Sequence, residues 1–180
     1  MKYLLFLLLS FNVFAQQSIG VSHSVFKQVL DFEKGYISFP QDAIELRYDY
    51  LTDYGLGVRA SVSRSTETAN SNYIENRFYT NKVMSAFHGS VFYRYKLDDK
   101  WSVDLSVGKA SYNTKWTVNG KEPSWSKGSD TDYTKGVNVN YKYHENFYMH
   151  LGYYNLYEKT KEGYGEEKTE LYQFGFAYTF

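Results

Sequence analysis

Eight stretches of the chain alternate apolar and polar side chains with a period of two, and the segments joining them alternate long and short. Successive side chains of a β-strand point to opposite faces, so each stretch reads as a strand with one greasy and one polar face. The greasy faces are Ile19, Val21 and Val25, interrupted by His23; Ile44, Leu46, Tyr48 and Tyr50; Leu56, Val58, Ala60 and Val62; and Phe87, Val91, Tyr93 and Tyr95. They continue as Trp101, Val103, Leu105 and Val107; Val137, Val139, Tyr141 and Tyr143; Phe147, Met149, Leu151 and Tyr153; and Tyr172, Phe174, Phe176, Tyr178 and Phe180. The joining segments are 27–42, 52–54, 65–82, 97–100, 113–132, 144–146 and 158–169. Short turns on one rim, long loops on the other and an even strand count predict an all-β fold: an eight-stranded antiparallel up-and-down transmembrane β-barrel.

Soluble antiparallel sheets alternate in the same way, so composition has to separate the two cases. Aromatic residues make up 20% of the 180, with 20 Tyr and 13 Phe, yet only 22% are charged and the mean hydropathy is negative. A barrel with aromatic girdles and a polar interior combines these features. Twenty basic residues balance twenty acidic ones, which leaves no electrostatic footprint for nucleic acid.

Residues 1–15, "MKYLLFLLLSFNVFA", have the form of a secretory signal peptide: Lys2, an apolar stretch, then Val13 and Ala15 at the cleavage position. The stretch is too short to span about 30 Å of hydrocarbon. Residues 16–180 are then the barrel. The chain has no cysteine, so it carries neither a lipoprotein anchor nor a disulfide.

With eight strands the interior is just wide enough to be filled by side chains. The polar faces carry Glu45, Asp49 and Asp104 against Arg47, Arg59 and Arg94, three of each sign, with His88 beside them. Unpaired charges are costly in such a space, so a self-neutralising polar network that closes the lumen is expected.

The last strand, ending "FGFAYTF", resembles the C-terminal sorting signal that the barrel-assembly machinery of Gram-negative bacteria recognises, with Tyr172, Phe174, Phe176, Tyr178 and Phe180 carrying the likeness. The stretch "HGSVFYRYKLDDKWSVDLSVGKA" resembles the hallmark hairpin of the OmpX/Ail class within the OmpA-like barrel superfamily: Tyr-x-Tyr, an acidic turn, then Trp. No peptidoglycan-binding domain is expected after Phe180. The resemblance implies an outer-membrane protein, exposed at the cell surface and surrounded by membrane lipid and lipopolysaccharide. It further implies a non-enzymatic role in adhesion, serum resistance or envelope integrity.

Function is then expected in the long loops. In 113–132, Asn119-Gly120 is a type I′ hairpin signal that would make strands five and six a ribbon carrying Lys115, Trp116, Lys121, Trp125 and Lys127, a set suited to a host or surface protein or glycan. The competing account has the tryptophans in the upper girdle and the lysines on lipopolysaccharide phosphates. Two other classes stand beside adhesion. His88 and Ser90 have the His-x-Ser spacing of lipid A deacylases, but their strand phase points them inward. A small channel would need an open lumen. No metal-ligand spacing, phosphate loop or nucleotide fingerprint occurs, so no cofactor, metal or catalytic residue is implied.

Overall fold

The computed structural model describes the backbone of residues 15–32, 35–71, 78–118, 127–161 and 165–180, and side chains chiefly of 15–27, 41–65, 85–111, 133–155 and 170–180. Eight strands follow in order: β1 (Ala15–Phe32), β2 (Gly35–Thr52), β3 (Leu56–Ser71), β4 (Phe78–Lys96), β5 (Trp101–Val118), β6 (Lys127–His144), β7 (Phe147–Lys161) and β8 (Gly165–Thr179). Each pairs antiparallel with its neighbours, and β1 also pairs with β8, from Ser18 opposite Thr179 to Leu30 opposite Glu167, which closes the barrel. Closure removes both sheet edges, the condition a hydrocarbon solvent imposes on a β structure. It also explains the ordered C-terminus: the Phe180 amide donates to Gln17 O at 3.0 Å and the Thr179 amide to Asn146 O at 2.8 Å.

The outward rings and aliphatics of the apolar runs stand exposed on the barrel wall, from Ile44 and Leu105 to Phe176. Toward the short-turn rim they meet as aromatic pairs, Trp101 with Tyr141 at 4.7 Å and Phe147 with Tyr178 at 5.1 Å between centroids, placed where a girdle forms. That rim is tightly made. Gly55, at φ 83°, lets the first turn reverse, donating to Thr52 O at 3.0 Å while its carbonyl accepts from the Arg94 amide at 2.7 Å. In the second turn Asp98 Oδ1 accepts from the amides of Lys100 and Trp101 at 2.7 and 2.6 Å, an Asx turn.

The other rim corrects the sequence reading. Most of 27–42, 65–82, 113–132 and 158–169, expected as loops, is strand: β1 pairs with β2 up to Phe32 and Gly35, β3 with β4 up to Ser71 and Phe78, and β7 with β8 up to Lys161 and Gly165. Strands of 15 to 19 residues exceed the about 10 needed to cross a membrane. At about 3.3 Å per residue and a tilt near 40°, the longer ones rise roughly 20 Å beyond it. Alternation stops at the membrane surface because water wets both faces there, while the hydrogen-bonded ladder continues.

This crown is divided. The β4–β5 and β1–β8 ladders continue high, to Thr80 opposite Val118 and Leu30 opposite Glu167, whereas β2–β3 pairing ends at Ala43 and Ser65 and β6–β7 pairing at Lys135 and Asn155. Above those points the described strands form two four-stranded lobes, β3 to β6 and β7 through β8 and β1 to β2. In the first lobe Lys115 lies opposite Lys127. A ladder running unbroken from a two-residue turn at Asn119-Gly120 would set Lys115 opposite Ser124, so the β5–β6 register differs from the one that turn alone dictates.

Candidate functional site

The inward faces meet in a charged cluster spanning the lumen, with Arg59 of β3 at its hub. Its guanidinium forks onto Asp49, Nε to Oδ1 at 2.8 Å and Nη2 to Oδ2 at 2.9 Å; Nη2 also donates to Asp104 Oδ2 at 2.9 Å, and Nη1 to the Tyr154 hydroxyl at 2.6 Å. Arg94 forks onto Asp104 from the other side, at 2.6 and 2.9 Å. Arg47 Nε lies 3.4 Å from Asp49 Oδ2. The chain Arg47, Asp49, Arg59, Asp104, Arg94 thus runs through β2, β3, β4 and β5, with each Asp between two cations.

Glu45 departs from the expected three-against-three pairing. Among the described residues it makes no ion pair; its Oε2 accepts from Gln173 Nε2 at 2.5 Å, over β1 to β8. The side chain remains in the same buried lining as Arg47.

Sequence reasoning missed three members. Phe92 lies on the inward face of β4 with its ring between two guanidinium groups, Arg59 Cζ at 4.7 Å and Arg94 Cζ at 5.6 Å from its centroid. The ring fits because Gly57 is opposite: a Cβ there would collide with it. Tyr154 of β7 accepts from Arg59 and, over a short contact, from Asn138 Nδ2. Gly136 makes room for its ring in the same way. His150 accepts at Nδ1 from Arg47 Nη2 at 3.4 Å, and because guanidinium only donates, the ring proton sits on Nε2, facing Ser22 Oγ at 2.9 Å. His150 and Tyr154 lie on the run of weakest contrast, 147 to 154, where Tyr148 and Tyr154 make both faces look aromatic.

His88 places Nε2 2.8 Å from Thr134 Oγ1 and packs edge-on against Tyr154 at 5.2 Å. Ser90 Oγ has no partner among the described residues, so His88 and Ser90 share a face without forming a hydrogen-bonded pair. His23, outside on β1, lies 3.3 Å from Asp42 Oδ1 across the strand pair, with both side chains exposed. Asp42 gives this polar residue a partner on an otherwise apolar face. Lys121 and Trp125 lie outside the described residues, as do the side chains of Lys115, Trp116 and Lys127 and all but the last residue of the segment 1–15 expected as a signal peptide; Ala15 opens β1 opposite Thr52.

Asp104 and Asn138 are 0% exposed and Tyr154 1%, so side chains fill the lumen at this level. The cluster ties most of the wall together: β1 through Ser22, β2 to β5 through the ion chain, β6 through Asn138 and β7 through His150 and Tyr154. The separate Gln173–Glu45 bond adds β8. No group of His, Asp and Glu fit to hold a metal occurs among the described residues.

A closed antiparallel barrel, greasy outside and sealed by paired charges inside, defines a transmembrane β-barrel. The family model described as outer membrane protein beta-barrel domain matches residues 3–180, and the chain belongs to that family, which places it in the outer membrane. A comparison with curated protein sequences finds no match. Among solved structures it is similar to Ail, the attachment invasion locus protein of Yersinia pestis, in complex with the heparin analogue sucrose octasulfate, at TM-score 0.64 and 14% identity over 93% of this chain and 100% of that one. Neisserial surface protein A is similar at TM-score 0.62 and 13% identity, over 92% and 97% of the two chains. OprG of Pseudomonas aeruginosa gives 0.60 and 10%, over 93% and 96%. Identities this low establish the shared fold.

Proposed function

We propose that this barrel is a non-enzymatic surface protein whose two strand lobes stand outside the cell and bind a partner there. The observation that carries this reading is the pairing of a filled lumen with strands far longer than a membrane requires. With the lumen filled at the level of the Arg59 cluster, the investment in backbone lies in the crown. Both termini and the tight turns share the opposite rim, which faces the periplasm in barrels of this architecture. The β5–β6 ladder sets Lys115 opposite Lys127, and the same stretch of sequence carries Trp116, Lys121 and Trp125. Clustered cations and tryptophans suit an anionic glycan or an acidic protein surface, and the sulfated sugar found with Ail is a ligand of that chemistry. Assembly by the barrel machinery through the Tyr172 to Phe180 row, and removal of residues 1–15, belong to the same reading.

The test uses cells displaying the full protein on immobilised heparin and on matrix proteins. The triple variant Lys115→Gln, Lys121→Gln, Lys127→Gln, with unchanged heat-modifiable gel mobility, should lose most retention, and added salt should weaken wild-type retention. Equal retention of both forms contradicts the assignment.

A further inference from the structure

The ladders between strands are not equally tall. Two are short: β2–β3, from Leu51 opposite Gly57 up to Ala43 opposite Ser65, and β6–β7, from His144 opposite Phe147 up to Lys135 opposite Asn155. Both start at a short turn and stop where the outward apolar residues stop, at Ile44 and Val62 on one seam and at Val137 and Tyr153 on the other. In the closed order β1 to β8 the two seams are four strands apart, so they face each other across the barrel. Above them the described wall is a tube slit along two opposite lines. The four strands on each side stay laddered to one another, β3 to β6 in one lobe and β7 through β8 and β1 to β2 in the other.

A closed hoop of hydrogen bonds holds every strand against both neighbours. A slit releases that constraint on its two flanking strands, and the slit can widen without breaking a backbone hydrogen bond. Two local features suit bending at this level. Pro40, which cannot donate to a ladder, lies three residues above Ala43, where β2 has become an edge. The pairing of β7 with β8 shifts register between Asn155 and Tyr157, directly above the last pair of β7 with β6, and such an irregularity bends its strand.

Below the slits the two halves are clasped through the lumen. Asp49 of β2 and Tyr154 of β7 both hold Arg59 of β3, and Tyr154 also accepts from Asn138 of β6. Higher up, Thr131 Oγ1 donates to Ser111 Oγ at 3.3 Å inside one lobe, and His23 meets Asp42 at 3.3 Å inside the other.

We propose that the crown is a pair of jaws: the two lobes swing as separate bodies about the line joining the two slit bases, while the clasped barrel below stays rigid. From Ala43 to Gly35, and from Lys135 to Lys127, each lobe extends eight residues above that line, roughly 20 Å at about 3.3 Å per residue and a tilt near 40°. On such an arm a swing of about 10° moves the tip by about 3.5 Å, well within the hinge motions of proteins. The motion belongs to the free barrel; its use in gripping a partner rests on the binding role given above.

Double electron–electron resonance on the full barrel in lipid nanodiscs tests the jaws, and a chain without cysteine permits site-directed spin labels. Val29→Cys with Thr117→Cys reports between the lobes, on β1 and β5; Asn70→Cys with Thr117→Cys reports within one lobe. Val21→Cys with Leu105→Cys reports on the same two strands, β1 and β5, inside the membrane. With gel mobility showing all three barrels folded, the first distance distribution should be wider than the other two by about 4 Å. A first distribution as narrow as the third overturns the proposal. So does a second as wide as the first, because the lobes would then not be bodies, and a third as wide as the first, because the motion would then lie in the barrel itself. Retention on heparin is read separately, so rigid lobes with intact retention would defeat the jaws alone.

Discussion

Replacing Arg59 with Met removes the hub of the lumen and keeps most of its volume. Asp49 then loses both arms of its fork and keeps only Arg47 at 3.4 Å, while Asp104 keeps its two bonds from Arg94. Breaking a buried pair by deleting one partner costs about 3–5 kcal/mol, because the remaining charge is buried without compensation. Asp104 stays paired, so the cost should fall at the lower end, about 3 kcal/mol, or roughly a hundredfold in the folding equilibrium. Urea titration of the protein folded in lipid vesicles, read by tryptophan fluorescence and gel mobility, measures it. Adding Asp49→Asn should restore at least about 1 kcal/mol, since the stranded group becomes neutral. A loss below about 0.5 kcal/mol for Arg59→Met, or no recovery in the double variant, would refute the view that these charges act as a mutually dependent plug.

Gly108→Ala should impair assembly, because its Cβ would strike the Gly89 carbonyl and Ser90, whereas Gly89→Ala should leave the folded yield unchanged; comparing gel mobility of the two variants checks this. Tyr154→Phe removes the acceptor shared by Arg59 and Asn138 and should lower stability by about 1–3 kcal/mol in the same urea assay. In planar bilayers the wild-type protein should show no stable conductance, and steady openings would contradict a lumen closed by the Arg59 cluster.

The barrel was legible because a wall between hydrocarbon and a charged lumen forces strict alternation, and Leu46, Arg47, Tyr48 and Asp49 show it residue by residue. Above the membrane that constraint vanishes, so the strand continuation from Lys27 to Phe32 looked like loop although its backbone pairs throughout. Within the lumen, sequence phase identifies the faces but not the heights. Whether Glu45 meets Arg47 or Gln173 depends on the β1–β8 closure and on side chains 128 residues apart. Phe92 was hidden by its type: an aromatic ring counts as lipid-facing until two guanidinium groups are seen to enclose it.

The absence of native cysteine makes single-cysteine scanning the most direct test of the architecture. Spin labels at Val62, Leu105 and Leu151 should be reached by lipid-dissolved oxygen and shielded from a water-soluble nickel complex. Labels at Ser61, Ser106 and Gly152, one residue away, should be shielded from oxygen. Equal accessibility of the two sets to oxygen, or ready access of the nickel complex to the second set, would contradict a barrel with lipid outside and a sealed polar interior.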